Sequence, residues 1–308
     1  MAGLSVGVIG AGGVGVSTAA AILQQGLAGR ITIYNRTAAL AQGEALDFLH
    51  TMPLLPRTEI RGRSLEEFEA EDVLVFTVGR HTQPGESRLD ILAGNLEITS
   101  AIADAVEGGG LPRIAIVVSN PLDVLTEYLT RRWAGRPVAV MGSGTSLDTL
   151  RFTFRLANEC EVHPRSVHAW IIGEHGDSSV FLHSSATIGA IPFPTYAAQR
   201  GIDLTPEWIA DVERDVRSAA YQVRELKGSA RHGIGLAVSG LVRCIGRESG
   251  TIIPVSVRVA DNLCASLPCA LGPDGPSEPL WPVMNDEERA GWERSLDVLR
   301  EATSALPF

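Results

Sequence analysis

Through the first half of the chain, short continuous apolar runs alternate with stretches of helical apolar spacing. The runs at 6–9, 30–34, 73–78, 114–118 and 138–140 are too short for helices and read as strands buried on both faces. Between them, 17–25, 38–49, 89–106 and 122–132 carry helical patterns. Buried strands separated by helices predict a doubly wound α/β domain around a parallel sheet. Ligands on such sheets bind beyond the strands' carboxyl ends, so 10–15, 35–37, 79–88 and 119–121 are the places to look for function.

The second half has a different rhythm. A helix is expected over 146–158 and a strand over 167–172, which runs into Gly173-Glu-His-Gly-Asp177. Two helices follow at 206–226 and 233–247, then strands at 252–259 and 265–271, a Gly/Pro turn at 272–276 and a last helix over 286–305. Runs of helices followed by runs of strands predict an α+β second domain. The boundary is expected near Met141-Gly-Ser-Gly144, dividing the chain into 1–143 and 144–308. No internal repeat or low-complexity tract interrupts either half.

Composition narrows the function classes. The chain has 308 residues, 45% hydrophobic and 20% charged, as in ordinary globular proteins. A formal net charge of −10 argues against a nucleic-acid binder. No apolar run approaches the ~20 residues a membrane helix needs. Met1-Ala-Gly leads straight into the first apolar run, so no signal peptide and a cytoplasmic location are expected. Cys160, Cys244, Cys264 and Cys269 lack CxxC spacing and read as reduced, buried thiols. Lys227 is the only lysine among 26 lysine-plus-arginine residues, which leaves little scope for Schiff-base chemistry.

The most explicit motif opens the chain. The first apolar run flows into Gly10-x-Gly12-x-x-Gly15, and a helical stretch follows. In this strand–turn–helix setting Gly10 permits the turn, Gly12 admits a pyrophosphate and Gly15 lets helix pack on strand. The phosphates then meet the free N–H groups and positive dipole end of the helix. The pattern predicts a Rossmann-type dinucleotide site, and the bland alternative is a glycine-rich βα turn of another α/β fold.

His175 stands between glycines just after a strand, where an imidazole can serve as a general acid and base near neutrality or simply be solvated. Asp148 and Arg151, three apart, share a helix face. Arg151 can grip a carboxylate through two parallel hydrogen bonds, and Asp148 can orient His175. The alternative is a surface ion pair worth little. Arg88 lies in the polar stretch after the 73–78 run, as a loop arginine that can polarise a carbonyl on closing or as a solvated one.

Taken together, these stretches resemble the L-2-hydroxy-acid dehydrogenases, the lactate and malate dehydrogenases. The matching segments are Gly10-Ala-Gly-Gly-Val-Gly15, Gly43-Glu-Ala-Leu-Asp47, Pro84-Gly-Glu-Ser-Arg-Leu-Asp90, Ser119-Asn-Pro121, Gly144-Thr-Ser-Leu-Asp-Thr149 with Arg151, and Gly173-Glu-His-Gly-Asp177. They fall in the family's order and at its spacing along essentially the whole chain. The resemblance implies hydride transfer between a nicotinamide and a 2-oxo acid. His175 would be the proton donor and acceptor, oriented by Asp148, and Arg151 would hold the substrate carboxylate. Arg88 would polarise the carbonyl, and Asn120 would stand between cofactor and substrate. Cofactor contacts are expected from Gly10, Gly12, Gly13, Val14, Gly15, Asn35, Arg36, Thr37, Gly79 and Asn120. The resemblance further implies a homodimer or homotetramer.

Two departures from the family pattern bear on specificity. Where NAD-dependent members carry an acidic residue that accepts from the ribose hydroxyls, this chain has Asn35 followed by Arg36 and Thr37. An amide next to an arginine accommodates a 2′-phosphate, and Asn-Arg-Thr is similar to the NADP-binding turn of shikimate dehydrogenases, so NADP(H) is favoured over NAD(H). Six residues before Arg88, lactate enzymes place glutamine and malate enzymes arginine; here it is Thr82. With Ala230 at the second discriminating position, this predicts a roomier pocket for a substituent larger than that of lactate or malate. Arg80, His81, Arg231 and His232 flank the two positions, and if they face inward an anionic substituent becomes the alternative. An ordinary NAD-dependent lactate or malate dehydrogenase stays open as a further reading. An inert dinucleotide sensor is disfavoured because Arg88, Asp148, Arg151 and His175 are all retained, and no Cys/His cluster points to a metal.

Overall fold

The computed structural model describes residues 3–80 and 88–307, with backbone alone for 88–90. Six parallel strands form one side of a nine-stranded sheet: β1 (Ser5–Ile9), β2 (Arg30–Asn35), β3 (Glu59–Ser64), β4 (Val73–Phe76), β5 (Ile114–Val117) and β6 (Ala139–Gly142). Their spatial order is β3-β2-β1-β4-β5-β6, with the chain reversing direction across the sheet between β1 and β4. The helices between them are α1 (Gly13–Gln24), α2 (Ala38–Leu49), α3 (Arg88–Gly109), α4 (Leu122–Arg132) and, after β6, α5 (Ser146–Glu159). Ile9 pairs with Tyr34 on one side and Phe76 on the other. The carboxyl ends of β1, β2 and β4 are therefore level, and the segments that follow them share one edge.

Helices cover both faces of the sheet, which is why its strands read as unbroken apolar runs. On one face Ile22 and Leu23 of α1 pack with Val6, Val8, Ile31 and Ile33. On the other, Leu92 and Ala103 of α3 and Val124 and Leu125 of α4 pack on Phe76 and Val117. Fully burying each of the Val, Leu, Ile and Phe side chains among these contributes about 1.5–3 kcal/mol. The expected strand over 73–78 ends at Phe76, and the one over 138–140 runs Ala139–Gly142. β3 carries no apolar run because it is an edge strand with only Ile60 buried.

The second half begins with α5 and continues through β7 (Val167–His168), β8 (Ile171–Ile172), β9 (Val180–Phe181), β10 (Thr187–Ile188) and β11 (Ile191–Pro192). Next come α6 (Phe193–Arg200), α7 (Pro206–Lys227) and α8 (His232–Gly246), then β12 (Thr251–Ala260), β13 (Leu263–Gly272), β14 (Gly275–Pro276) and α9 (Asp286–Thr303). The single strand expected over 167–172 is corrected to two: β7 pairs with β10, whereas β8 pairs with β9 in another sheet. The run changes partners at Ala169–Trp170. β12 and β13 form a long antiparallel pair that joins the main sheet where Ser256 lies opposite Gly142 of β6. The Gly/Pro segment expected as a turn closes in part as β14, paired with β13.

Packing around these elements is mainly apolar. Phe152 and Leu156 of α5 meet Phe181, Phe193 and Val212, and α9 lays Trp292, Leu296 and Leu299 against Leu263 and Leu267 of β13. Cys160, Cys244, Cys264 and Cys269 are buried and not joined in disulfides. Among the described residues no helix is long and apolar enough to cross a membrane.

Candidate active site

The glycine turn has the geometry its sequence predicts. Gly10 adopts φ +113°, in the left-handed region that disfavours a side chain. A Cβ on Gly15 would overlap the carbonyl oxygen of Gly10, so only hydrogen lets α1 approach β1 this closely. A Cβ on Gly12 would meet nothing within 4 Å. Open space therefore faces the start of α1, whose first turn carries no acidic residue. Backbone N–H groups, a positive dipole end and free space fit a pyrophosphate. Val14 sits in this turn and its carbonyl takes the Thr18 hydroxyl at 2.8 Å, while Arg231 lies across Gly13.

At the end of β2, Asn35 accepts from the Ala11 N–H at 3.5 Å and donates from Nδ2 to the Thr37 carbonyl at 3.2 Å. Its side chain thus bridges the glycine turn and the turn leading to α2. Arg36 is exposed, and among the described residues no carboxylate lies within 4.0 Å of its guanidinium.

The segments after β4 and β5 are tied together by Asn95 of α3, a buried amide that the sequence reading did not single out. Its Oδ1 accepts the Arg80 N–H at 2.8 Å and its Nδ2 donates to the Asn120 carbonyl at 2.6 Å, with Gly79 packed over it. The Ser119 hydroxyl donates to the Val78 carbonyl at 2.6 Å and strengthens the same junction. Arg88 begins α3, with its side chain outside the description. Thr82, His81 and the Pro84-Gly85 segment also lie outside the described residues. Ala230 is half-buried in the short link between α7 and α8.

Asp148, Arg151 and His175 converge from two elements. Asp148 and Arg151 sit one turn apart on α5, and Oδ1 of Asp148 accepts from Nη1 of Arg151 at 2.8 Å. Oδ2 of the same carboxylate lies 2.7 Å from Nδ1 of His175. The Arg151 guanidinium keeps N–H donors beyond the one given to Asp148. Asp148 and Arg151 side chains are 15% and 21% exposed, which sets them apart from a solvated surface pair.

The His175 loop is held at every step. Gly173, at φ +86°, forms a two-way backbone bridge with Ser266 of β13, each N–H to the other's carbonyl at 2.9 Å. The Glu174 N–H donates to Ser295 of α9 at 2.8 Å, and the His175 N–H donates to Oδ2 of Asp123 at 2.8 Å. Asp123 lies in the first turn of α4, three residues beyond Asn120, so this last bond sets the 119–121 turn beside the histidine. Asp123 was also missed by sequence reasoning.

The electrostatics follow from these contacts. Burial disfavours the charged imidazole, but the Asp148 carboxylate and its hydrogen bond, with Asp123 behind, hold the His175 pKa above its ordinary value. Burial likewise acts against ionised Asp148, and the His175 charge, their hydrogen bond and Arg151 outweigh it, leaving its pKa below the carboxylate norm. The pair therefore favours imidazolium beside carboxylate, with Nδ1 engaged by Asp148. Among the described residues no group of three or more His, Cys, Asp or Glu side chains is arranged to hold a metal ion.

Residues 4–142 match the family model described as lactate/malate dehydrogenase, NAD binding domain, and 145–305 match that described as lactate/malate dehydrogenase, alpha/beta C-terminal domain. An L-lactate dehydrogenase of Thermus aquaticus is 36% identical over 99% of this chain and all of its own length. One from Chloroherpeton thalassium is 36% identical over 98% of this chain and 100% of its own. Among solved structures, the minor L-lactate dehydrogenase from Enterococcus mundtii in a ligands-bound form superposes with a TM-score of 0.92 at 31% identity, covering both chains completely. MGS-M5, a lactate dehydrogenase from a Medee basin deep-sea metagenome library, gives 0.90 at 30% identity over 99% of each chain.

Proposed function

This chain belongs to the lactate/malate dehydrogenase family and is a nicotinamide-dependent 2-hydroxy-acid oxidoreductase, and on that basis we propose that His175 is its proton donor and acceptor. The observation that carries this reading is the Asp148 carboxylate shared between His175 and Arg151. A nicotinamide bound at the glycine turn would supply or accept the hydride. In reduction, Arg151 holds the carboxylate of the 2-oxo acid and protonated His175 gives its proton to the carbonyl oxygen. Asp148 keeps the imidazolium favourable until that transfer and fixes the ring's orientation. In oxidation, neutral His175 takes the hydroxyl proton. Arg88 is assigned to polarising the carbonyl, and Asn120 to the junction between cofactor and substrate.

The cofactor is assigned to Gly10, Gly12, Gly13, Val14, Gly15, Asn35, Arg36, Thr37, Gly79 and Asn120, within a unit spanning 1–143. The substrate side is assigned to 144–308. NADP(H) is the favoured cofactor, because exposed Arg36 next to neutral Asn35 can grip a 2′-phosphate that an acidic residue would repel. Thr82 with Ala230 supports a substituent larger than those of lactate and malate. The names of the relatives, with the NAD binding domain named by the family model for 4–142, support the second reading, an NAD-dependent L-lactate dehydrogenase. A homodimer or homotetramer is proposed as well. Exposed Leu40, Leu46 and Leu49 on α2 and Leu150 and Phe154 on α5 support it, being apolar surface of the kind oligomers bury.

A panel of pyruvate, oxaloacetate, 2-oxoisocaproate, phenylpyruvate and an anionic 3-substituted analogue, each with NADPH and NADH, separates the readings. Highest kcat/KM for a branched or aromatic acid with NADPH is expected. Pyruvate with NADH as the best pair overturns both specificity assignments and leaves the second reading.

A further inference from the structure

Asp123 brings a second carboxylate to the histidine from a different helix. It is 3% exposed, with Oδ2 accepting the His175 N–H at 2.8 Å and Oδ1 accepting the Ser256 hydroxyl at 2.6 Å. Desolvation pushes its pKa up to about 6, against the pull of both hydrogen bonds and of the histidine's charge. Keeping an ionisable group in such surroundings is unfavourable compared with a neutral one of the same shape. An asparagine would fit the same space: its amide oxygen can accept the His175 N–H while its NH₂ donates to Ser256. The hydrogen bonds alone therefore do not call for a carboxylate. What the acid adds is negative charge beside the loop that carries the imidazole.

We propose that Asp123 is a positioning residue for His175, fixing the backbone of its loop and, by its charge, helping to retain the imidazolium proton until transfer. The inference rests on the reading of His175 as the proton donor. It is distinct from the role of Asp148, which meets the ring itself. Among the described residues, the charged groups acting on His175 are Asp148 and Arg151 from α5 and Asp123 from α4, and Glu174 of the histidine's own loop acts on Asp123. Among the described residues, the neighbouring β12, β13 and α9 bring the hydroxyls of Ser256, Ser266 and Ser295 and the thiol of Cys264. Arg151 opposes the imidazolium charge, and the two aspartates together outweigh it. Removing either one shifts the balance toward neutral histidine.

The test is the pH profile of kcat/KM for 2-oxo-acid reduction, whose alkaline limb reports loss of the His175 proton. In Asp123→Asn the limb is expected to move down by about half a pH unit or more, with KM little changed at low pH. A purely structural role would lower activity at every pH and leave the limb in place. Ser256→Ala provides a milder perturbation should Asp123→Asn fold poorly. It leaves the bond to His175 intact, raises the Asp123 pKa and so is expected to move the limb the same way by less. Limbs unchanged in both folded variants overturn the proposal. His175→Asn, run in parallel, keeps the two readings apart. If it retains turnover the proton-donor reading falls, whereas lost turnover with unmoved limbs in the other variants removes only the role of Asp123.

Discussion

Oδ2 of Asp148 lies 2.7 Å from Nδ1 of His175, and its other oxygen takes a hydrogen bond from Arg151. One carboxylate thus orients the group assigned to the proton and the group assigned to the substrate. Because the His175 pKa is raised, kcat/KM for reduction should be flat at low pH and fall only above the ordinary imidazole value of 6.5. Oxidation should rise over the same range. Asp148→Asn should carry both limbs to lower pH, and His175→Asn should lose at least ~10²-fold in turnover while still binding cofactor. Steady-state rates across pH with cofactor titrations check this, and near-wild-type turnover in His175→Asn contradicts it. The pair's contribution to stability is fully present between the ordinary values of 3.8 and 6.5. It fades as pH falls through the lowered Asp148 value or rises through the raised His175 value.

Arg151→Lys retains a positive charge but loses the fork that meets a carboxylate with two parallel bonds. A fall in kcat/KM of about 10–10²-fold is expected, the size of one hydrogen bond to a charged group. Cofactor dissociation constants should stay unchanged. Equal losses in cofactor and substrate binding would show a general collapse of α5 instead.

Arg36→Ala addresses cofactor choice directly. The ratio of kcat/KM for NADPH over NADH should drop by about 10–10²-fold, with the NADH value nearly constant. An unchanged ratio would mean that the exposed guanidinium does not meet the 2′-phosphate.

Two glycines of the same turn should behave oppositely. Gly15→Ala forces a methyl into the Gly10 carbonyl and should cost about 1–3 kcal/mol or more in stability, seen as a lowered Tm. Gly12→Ala meets open space and should stay within about 0.5 kcal/mol of the parent. Its methyl projects toward the space assigned to the pyrophosphate, so cofactor affinity should fall while Tm holds. Loss of stability in Gly12→Ala would show that this space is not open.

Asp123 has the reverse pH behaviour from Asp148. With its pKa raised from 3.8 to about 6, its neutral form stabilises the fold at low pH, and that contribution disappears as pH rises through this interval. The change amounts to about 3 kcal/mol. Unfolding free energies measured from pH 4 to pH 7 should decline less in Asp123→Asn than in the parent. Parallel curves would show that the buried acid ionises at no such cost.

Much of this architecture is visible in the sequence, for identifiable reasons. β1, β2 and β5 lie within a residue of their apolar runs, and α2 and α4 span 38–49 and 122–132 as expected, because buried strands and amphipathic helices have distinct periods. β3 was invisible, since an edge strand with one buried side chain leaves no such trace. His175, Asp148 and Arg151 were legible as residue types in motifs, and folding brings them within hydrogen-bond distance. Asp123 and Asn95 were not. An acid in the first turn of a helix is what its dipole alone would favour, and an asparagine in a helix draws no notice. Only the packing of α4 under the histidine loop, and of α3 between two turns, makes them part of the site.

Ser266 touches both halves of the proton machinery. Its backbone bridges Gly173, two residues before His175, and its hydroxyl accepts the Thr145 N–H at 3.1 Å, just ahead of the helix that bears Asp148. Acid and base are thus measured from a common datum on β13. The distance across which the proton is held is thereby set from one strand of the main sheet.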